Sequence, residues 1–409
     1  MLVLGGDNRQ AVSIVRSLSL GGYRTILGHE GARTPASCSR FTDESWPHPH
    51  LADEPASFLA ALAGLQANRP EVRWIYPVGE SELRFMLRNW DSLPRRERIV
   101  MPPREAVEAC FDKPRFYELA GECGVPFAPF AVAHDAAELN SRIASIGYPL
   151  VIKPEASVGE IGGRRALVVA DAAELNRLLP KWPANFDALI VQRFVPGLRH
   201  NCHFVAHEGR LLGYFEHRVE RTNRRDGTRN AVESVSVPPT PRLLEYTSRL
   251  AERLRYSGPG DSQFLVEDPE HPMLLELNAR LDANVEAARR CGADVALLAL
   301  EVVRVRTGES LPLPSSPARY AQGRRCHWLT GDLAGALSEL RGGEMSAGEA
   351  LAWLRRILRA VLRADFHLVG WIRDPKPALY EAWHDLPNPI SMVARRVRRV
   401  FSPVEHPST

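Results

Sequence analysis

The first hundred residues alternate apolar runs with amphipathic segments, and this alternation constrains the fold more than any other feature of the sequence. The apolar runs lie at residues 1–6, 23–28, 72–79 and 99–103. Between the first two, residues 9–20 carry apolar side chains at helical spacing, and glycines follow both segments. Strands that alternate with helices in this way form parallel sheets. The sequence therefore predicts a small Rossmann-like α/β domain over residues 1–105.

From about residue 106 the pattern changes to an α+β arrangement. Short strands and helices occupy 106–187, and residues 198–237 alternate as long antiparallel strands. Two further strands follow, and the next segment, 282–307, is predicted to be one long helix. The proline-rich stretch 311–317 predicts a linker, and the chain beyond it is expected to be mainly helical.

Composition favours a globular protein with more than one domain. The 409 residues exceed the about 250–300 at which a single core stops growing. Lys and Arg number 52 and Asp and Glu 49, a net charge of +3 that is too small to indicate nucleic-acid binding. The six cysteines form no C-x-x-C pair, and no run reaches the about 20 apolar residues of a membrane span. We therefore expect a cytoplasmic protein with reduced thiols.

Three segments of the middle block carry groups suited to nucleotide phosphates. Lys113 opens a predicted helix, Lys153 ends an apolar strand, and a glycine-bearing loop at 157–163 follows that strand. Phosphates are bound in proteins by cations and by backbone N–H groups, which lysines and a flexible loop can supply. Each segment alone is a weak signal, so the argument depends on their order.

A fourth segment carries groups suited to magnesium. Glu276 and Asn278 lie two residues apart, so their side chains share one face of a predicted strand. Gln263 on the preceding strand is a further candidate ligand, although a structural hydrogen bond is an equal alternative for it. Oxygen ligands on a rigid element are what magnesium prefers.

Two other polar segments favour structural interpretations. Residues 200–207 (HNCHFVAH) look metal-like, but their spacing matches no zinc pattern. Strand alternation also separates His203 and His207 from Cys202, so a β-hairpin is favoured. Glu80 and Glu82 follow the third apolar run, where α/β sheets bind ligands, but a helix N-cap is the favoured interpretation.

Taken in order, these segments resemble the ATP-grasp superfamily, and more narrowly its carbamoyl-phosphate-synthetase-like branch of predicted carboligases. The matching segments are 111–113 (FDK), 124–126 (GVP), 148–154 (YPLVIKP), 192–197 (QRFVPG) and 274–280 (LLELNAR). The first hundred residues are similar to the pre-ATP-grasp domain at 3–6 (VLGG), 15–18 (VRSL) and 37–40 (SCSR). The resemblance covers residues 1–307. It implies a pre-ATP-grasp domain at 1–105, a small lobe with the phosphate-binding loop at 106–187, a core lobe with the metal site at 188–310, and a helical region at 311–409.

The resemblance implies ATP bound between two lobes, with Mg²⁺ or Mn²⁺ as the metal. Lys113 and Lys153 would contact phosphates, and Arg280 would lie near the transferred phosphate. The loop that closes over the triphosphate would contribute Ser157, Gly159, Gly162 and Gly163. The hinge that reads the adenine edge through backbone groups would comprise Gln192, Arg193, Phe194 and Val195.

The metal ligands implied by the resemblance are Glu276, Asn278 and Gln263. Many relatives carry Glu where this chain has Gln263, whereas carbamoyl-phosphate synthetases use Gln there. A neutral ligand reduces the negative charge around the metals, so the occupancy of a second magnesium is an open question.

The implied reaction activates a carboxylate as an acyl phosphate, which an amine then attacks to give an amide, ADP and phosphate. Arginine suits bidentate capture of a carboxylate, and we hypothesise that Arg218 or Arg221 holds the one being activated. The expected partners are a small-molecule carboxylate and an amine, with a homodimer as one expected assembly. A bicarbonate-activating enzyme of the carboxylase or carbamoyl-phosphate type, and a catalytically silent nucleotide-binding regulatory protein, are the alternatives.

The C-terminal region carries a basic helix at 347–364 and a basic segment at 394–399. The helix sets Arg355, Arg356, Arg359 and Arg363 opposite Leu351, Leu354, Leu358, Val361 and Leu362. Contact with an anionic membrane surface is one interpretation of this pattern. Packing of the leucines on the core, with a solvated basic face, is favoured over it.

Overall fold

Three β-sheets organise the part of the chain that the structure describes, and each begins in a different stretch of the sequence. The computed structural model describes residues 1–31, 33–155, 159–161, 163–183 and 186–384. The predicted basic segment 394–399 lies outside these residues. Among the described residues, no helix is both long and apolar enough to cross a membrane.

The first sheet is parallel and confirms the predicted α/β arrangement. Its elements are β1 (Leu2–Leu4), α1 (Arg9–Leu20), β2 (Ile26–His29), β3 (Glu44–Pro47), α2 (Pro55–Asn68), β4 (Ile75–Pro77) and α3 (Glu80–Arg88), with strand order β3-β2-β1-β4. The apolar run 99–103 was predicted to be a strand of this sheet, but Ile99 makes only an isolated bridge to Ile75. The sheet is completed instead by β3, Glu44–Pro47. Strand β3 escaped prediction because its side chains are only partly buried and its sequence is not apolar.

The second sheet is small and antiparallel. It follows α4 (Arg104–Phe111) and α5 (Lys113–Glu122) and comprises β5 (Phe130–Ala133), β6 (Leu150–Pro154), β7 (Leu167–Val169) and β8 (Leu189–Arg193) in the order β5-β8-β6-β7. Helices α6 (Ala136–Ile146) and α7 (Ala172–Leu178) accompany it. Leu150 and Ile152 of β6 are buried in the core of this sheet, and the alternate residues Val151 and Lys153 are left beside a cavity.

The third sheet has seven strands and contains the long antiparallel hairpin predicted from the sequence. Its main strands are β9 (Leu198–His207), β10 (Arg210–Thr222), β11 (Ala231–Ser236), β12 (Gly258–Val266) and β13 (Met273–Asn278), with α8 (Pro241–Arg253) between β11 and β12. The predicted single helix over 282–307 is wrong, because two helices form, α9 (Val285–Arg290) and α10 (Val295–Arg306). Gly292 lies between them with φ +93°, a left-handed backbone that ends α9.

The C-terminal region adds strands as well as helices. Its elements are β14 (Arg325–His327), α11 (Leu329–Arg341), α12 (Ala347–Arg363), β15 (Phe366–His367) and α13 (Lys376–His384). Strands β14 and β15 extend the third sheet beyond β11 in the order β11-β14-β15. The turn before α13 is tied to α1, because Asp374 accepts hydrogen bonds from Arg16 Nε at 2.9 Å and from Ser39 Oγ at 2.7 Å.

The buried face of α12 differs from the predicted one. Trp353, Ile357 and Ala360 are buried, whereas the predicted core residues Leu351, Leu354, Leu358 and Leu362 are exposed. The helix packs against α11 through the narrower stripe because bulky Trp353 and Ile357 share it. The prediction that the leucine-rich face of this helix packs on the core is therefore wrong for these four leucines.

Candidate active site

A cavity of about 580 Å³ gathers residues of the second and third sheets and residues that follow strands of the first, including most of the predicted site. Eleven predicted residues line it: Lys113, Lys153, Gly159, Gln192, Arg193, Phe194, Val195, Gln263, Glu276, Asn278 and Arg280. Gly163, Arg218 and Arg221 are not among its lining residues. Ser157 and Gly162 lie outside the described residues.

The two predicted phosphate-contacting lysines reach the cavity from neighbouring elements. Lys153 Nζ donates to Gln192 Oε1 at 2.8 Å and to Tyr117 Oη at 3.0 Å. Lys113 Nζ donates to the backbone carbonyl of Glu155 at 3.1 Å. Both ammonium groups thus have neutral hydrogen-bond acceptors, so a phosphate group would add an anionic partner that these contacts lack.

Burial and the neighbouring charge of Lys153 lower the pKa of Lys113 to about 8, against the opposing effects of Glu276 and Glu80. A partly desolvated ammonium interacts more strongly with an anion than a solvated one does. This electrostatic environment suits a phosphate-binding site.

Glu276, Asn278 and Gln263 occupy neighbouring positions on β13 and β12. Gln263 pairs with Glu276 in the strand register, and Asn278 Nδ2 donates to Glu276 Oε1 at 3.0 Å. Burial alone would raise the pKa of Glu276, but the bond from Asn278 and the charges of Lys113, Lys153 and Arg280 lower it overall. The carboxylate therefore remains ionised, as a magnesium ligand must be.

The predicted hinge connects β8 to β9. The N–H of Arg193 donates to the Pro129 carbonyl at 2.9 Å, and that of Phe194 to the Pro149 carbonyl at 3.1 Å. Adenine recognition through this segment would therefore rely on Val195 and on carbonyl oxygens. The segment ends at Gly197, with φ +121°, where a Cβ would lie 2.6 Å from backbone atoms of Val266 and Glu267. Glycine is thus required at this position.

Arg218 and Arg221 are engaged by carboxylates of the protein itself. Arg218 Nη2 lies 2.6 Å from Glu220 Oε1. Arg221 binds Asp332 of α11 through both Nη atoms and also contacts Glu233. Register shifts in β10 and the packing of α11 against this part of the sheet direct Arg221 to that partner. The prediction that either arginine holds a substrate carboxylate therefore requires an ion pair to open.

Several lining residues were missed or given only a structural role by the sequence analysis. The turn after β1 contributes Asp7 and Asn8, the start of α1 contributes Arg9 and Gln10, and the loop that leads into β11 contributes residues 226–230. The guanidinium carbon of Arg9 lies 3.4 Å from the ring centroid of Trp328, and burial lowers its pKa to about 10. The cap interpretation holds for Glu82, which accepts from the Gly79 N–H at 2.9 Å, whereas Glu80 lines the cavity.

These residues follow strands or lie in loops, where sequence alone does not reveal a shared cavity. The position of the first turn at the carboxyl end of a parallel strand was the one available signal.

Comparisons with known proteins identify relatives of this chain. The large chain of carbamoyl phosphate synthase from Methanothermobacter thermautotrophicus is 24% identical over 308 residues, which cover 71% of this chain and 27% of the relative. No protein-family model matches the chain.

Solved structures share the fold. Biotin carboxylase from Campylobacter jejuni matches with a TM-score of 0.57 and 19% identity, covering 79% of this chain and 74% of the other. The L-amino acid ligase from Bacillus licheniformis matches with a TM-score of 0.57 and 17% identity, covering 76% and 78%.

The chain spans about a quarter of the length of its carbamoyl phosphate synthase relative, at 27%. The sequence match nevertheless covers most of this chain. The two structural alignments cover most of this chain and most of the chain to which it is compared. This chain therefore has the ATP-grasp fold and is related to the carbamoyl phosphate synthase large chain.

Proposed function

We propose that this protein is an ATP-dependent ligase that activates a carboxylate as an acyl phosphate and joins it to an amine. The observation that carries the proposal is the convergence of Lys113, Lys153, Glu276, Asn278 and Arg280 on one cavity. Its neighbours among solved structures include biotin carboxylase complexes with ATP and with ADP and magnesium, which supports ATP and Mg²⁺ as cofactors.

The chemistry requires mainly positioning and charge neutralisation. Lys113 and Lys153 would hold phosphate oxygens, and Arg280 would stabilise the charge that develops on the transferred phosphate. Glu276 and Asn278 would hold magnesium, with Gln263 as a neutral third ligand. When bound, the metal offsets negative charge on the phosphate oxygens.

Exclusion of water is the second requirement, since an acyl phosphate hydrolyses readily. Loop residue Glu160 forms an ion pair with Arg229, whose own loop lines the cavity from the opposite sheet. This contact links the predicted phosphate-binding loop to the third sheet and would help to close the site.

Substrate selection would involve the arginines at the cavity wall. Arg9, Arg199 and Arg229 line the cavity, and each offers donors that suit a carboxylate. Arg218 and Arg221 remain proposals for the same role, and their replacement by Met should weaken carboxylate binding if they perform it.

ADP release from ATP and Mg²⁺ tests the proposal. Carboxylates and amino acids should be assayed singly and in pairs with amines, and ADP should form only with a matching pair. ATP binding without turnover across a broad panel would instead indicate a nucleotide-binding regulatory protein.

A second candidate function is activation of bicarbonate. Biotin carboxylase and carbamoyl phosphate synthase are both among the relatives, which favours this alternative over other reactions. ADP release with bicarbonate alone, without an organic carboxylate, would support this candidate and count against the first.

A further inference from the structure

Two histidines and an aspartate meet inside the third sheet, next to the cavity. His203 lies on β9, His217 on β10, and Asp282 in the turn after β13. One ligand atom from each lies within 4.8 Å of the others. The two imidazole rings are fully buried, whereas Asp282 is 15% exposed and lines the cavity. The cluster therefore faces the cavity through its aspartate.

Hydrogen bonding leaves His217 without a partner. Neither ring nitrogen of His217 has a hydrogen-bond partner among the described residues. His203 Nε2 lies 2.9 Å from Asp282 Oδ1, an ion-pair contact that engages these two groups with each other. Buried polar atoms normally find partners, and a bound ion would supply one for the ring of His217.

Metal ligands must be deprotonated. Burial lowers the pKa of His203, but the charge of Asp282 and the hydrogen bond with it raise that pKa overall, so a metal ion at this cluster would displace a proton from the His203 ring.

Neighbouring polar groups orient the cluster as an outer shell would. Asn201 Nδ2 donates to Asp282 Oδ2 at 2.8 Å and fixes the carboxylate. Asp261 Oδ1 lies 3.7 Å from His203 Nε2 and has no hydrogen-bond partner among the described residues, so it offers a further carboxyl oxygen. Asp261 pairs with both Asn278 and His203 in the strand register, so this cluster lies one strand away from the proposed magnesium ligands.

We propose that His203, His217 and Asp282 bind a divalent transition-metal ion of the zinc class beside the cavity. Imidazole nitrogens with one carboxylate suit Zn²⁺, whereas magnesium prefers oxygen ligands alone. The inference rests on the geometry of these residues and does not depend on the proposed ligase reaction. A cation at this position would add a positive charge to the cavity wall, where an anionic group of a substrate could bind.

Zinc binding to the full-length protein tests the inference. After treatment with a chelator, the protein is equilibrated with Zn²⁺ alone, without nucleotide, and bound metal is measured by equilibrium dialysis and elemental analysis. We expect one tightly bound Zn²⁺ per chain. His217→Phe should weaken that binding at least tenfold, since it keeps an aromatic ring beside Phe215 but removes the ligand nitrogen.

Two controls separate this site from other metal-binding groups. His207→Asn changes a histidine of the same strand outside the cluster and should leave Zn²⁺ binding unchanged. Glu276→Gln should also leave it unchanged, because that residue belongs to the proposed magnesium site. If His217→Phe fails to fold by circular dichroism, Asp282→Asn gives the same test, since Asn can keep a polar contact with Asn201 but is a poor Zn²⁺ ligand.

Spectroscopy with Co²⁺ gives an independent readout. A cobalt ion bound by His203, His217 and Asp282 should show the intense visible absorption of a four-coordinate site, and the His217 and Asp282 variants should lack it. Equal Zn²⁺ binding by wild type and both variants would overturn the proposal, as would wild-type protein that retains no Zn²⁺.

Discussion

Charged side chains at the cavity are held in place by residues that lie far from them in the sequence. Lys113, Lys153 and Glu276 line one cavity, as expected from their places at element ends. Tyr117, which accepts a hydrogen bond from Lys153, gave no signal because it lies 36 residues away in sequence. His203 was assigned to a plain hairpin for a similar reason, since Asp282 and His217 reach it only in the folded chain.

We expect turnover to be lost when the charge of Lys153 or of Glu276 is removed. Lys153→Met and Glu276→Gln should each lower kcat by about 10²–10³-fold, because each removes a charge that neutralises or organises the transferred phosphate. Steady-state ADP release measures this. Lys181→Met, an exposed lysine outside the cavity, is the matched control. Near-normal turnover in either site variant would contradict the site assignment.

Lys113 predicts a pH dependence of nucleotide binding. Its pKa is lowered to about 8 from 10.5, so its positive charge is present below pH 8 and lost above it. ATP affinity should therefore fall as the pH rises from about 7 to 9, and ATP binding above pH 8 should take up a proton because the phosphates favour the charged form. Calorimetry in buffers of different ionisation enthalpy measures both effects.

Lys113→Arg, which stays charged throughout, should lose this pH dependence. An unchanged pH profile in that variant would assign the titration to another group.

At the element scale, buried ion pairs and helix faces depend on partners that are distant in sequence. Helix α1 was predicted with its bounds unchanged, because its apolar spacing and flanking glycines are local signals. Nothing in its sequence indicated that Arg16 would be fully buried between Glu286 and Asp374.

Arg16 predicts a large loss of stability on neutralisation. Arg16→Met would leave Asp374 buried without its cation, whereas Glu286 would keep its ion pair with Arg289, and the uncompensated Asp374 charge should lower the free energy of unfolding by about 3–5 kcal/mol. Arg24→Met is the control, since the ion pair of Arg24 with Glu44 is exposed and should contribute about 0–1 kcal/mol. Urea unfolding of both variants measures the difference, and equal losses would show that burial of the Arg16 cluster has no energetic consequence.

Helix α12 offers a paired test of its packed face. Ile357 is 5% exposed and its neighbour Leu358 is 61% exposed. Ile357→Ala should cost about 2–5 kcal/mol of unfolding free energy, whereas Leu358→Ala should change it by about 0.5 kcal/mol or less. Thermal or urea unfolding distinguishes them. A larger loss of unfolding free energy for Leu358→Ala than for Ile357→Ala would show that the leucine face packs on the core, as predicted from the sequence.

At the scale of the whole molecule, local pattern was sufficient for the fold class but not for how the C-terminal region joins the rest. The domain boundaries at residues 105, 187 and 310 remain predictions. Strands β14 and β15 are only three and two residues long, too short to give a periodic signal, yet they continue the third sheet. Residues after 311 therefore contribute to the same sheet as β9–β13, which no stretch of sequence could show alone.

This sheet continuity predicts that cleavage within the proline-rich stretch will not release the C-terminal region. A protease site inserted at the exposed Ser315–Ser316 should cut cleanly, because these residues lie outside helices and strands. The two fragments should nevertheless co-elute at the size of the uncut protein. The pairing of β11 with β14 and the hydrogen bond from Arg16 to Asp374 each join a residue before the cut to one after it, and neither uses residues at the cut. Size-exclusion chromatography measures this, with the cut protein in urea as the control in which the fragments separate. Separation under native conditions would show that residues 311–409 form an independent domain, as the predicted boundary at 310 implies.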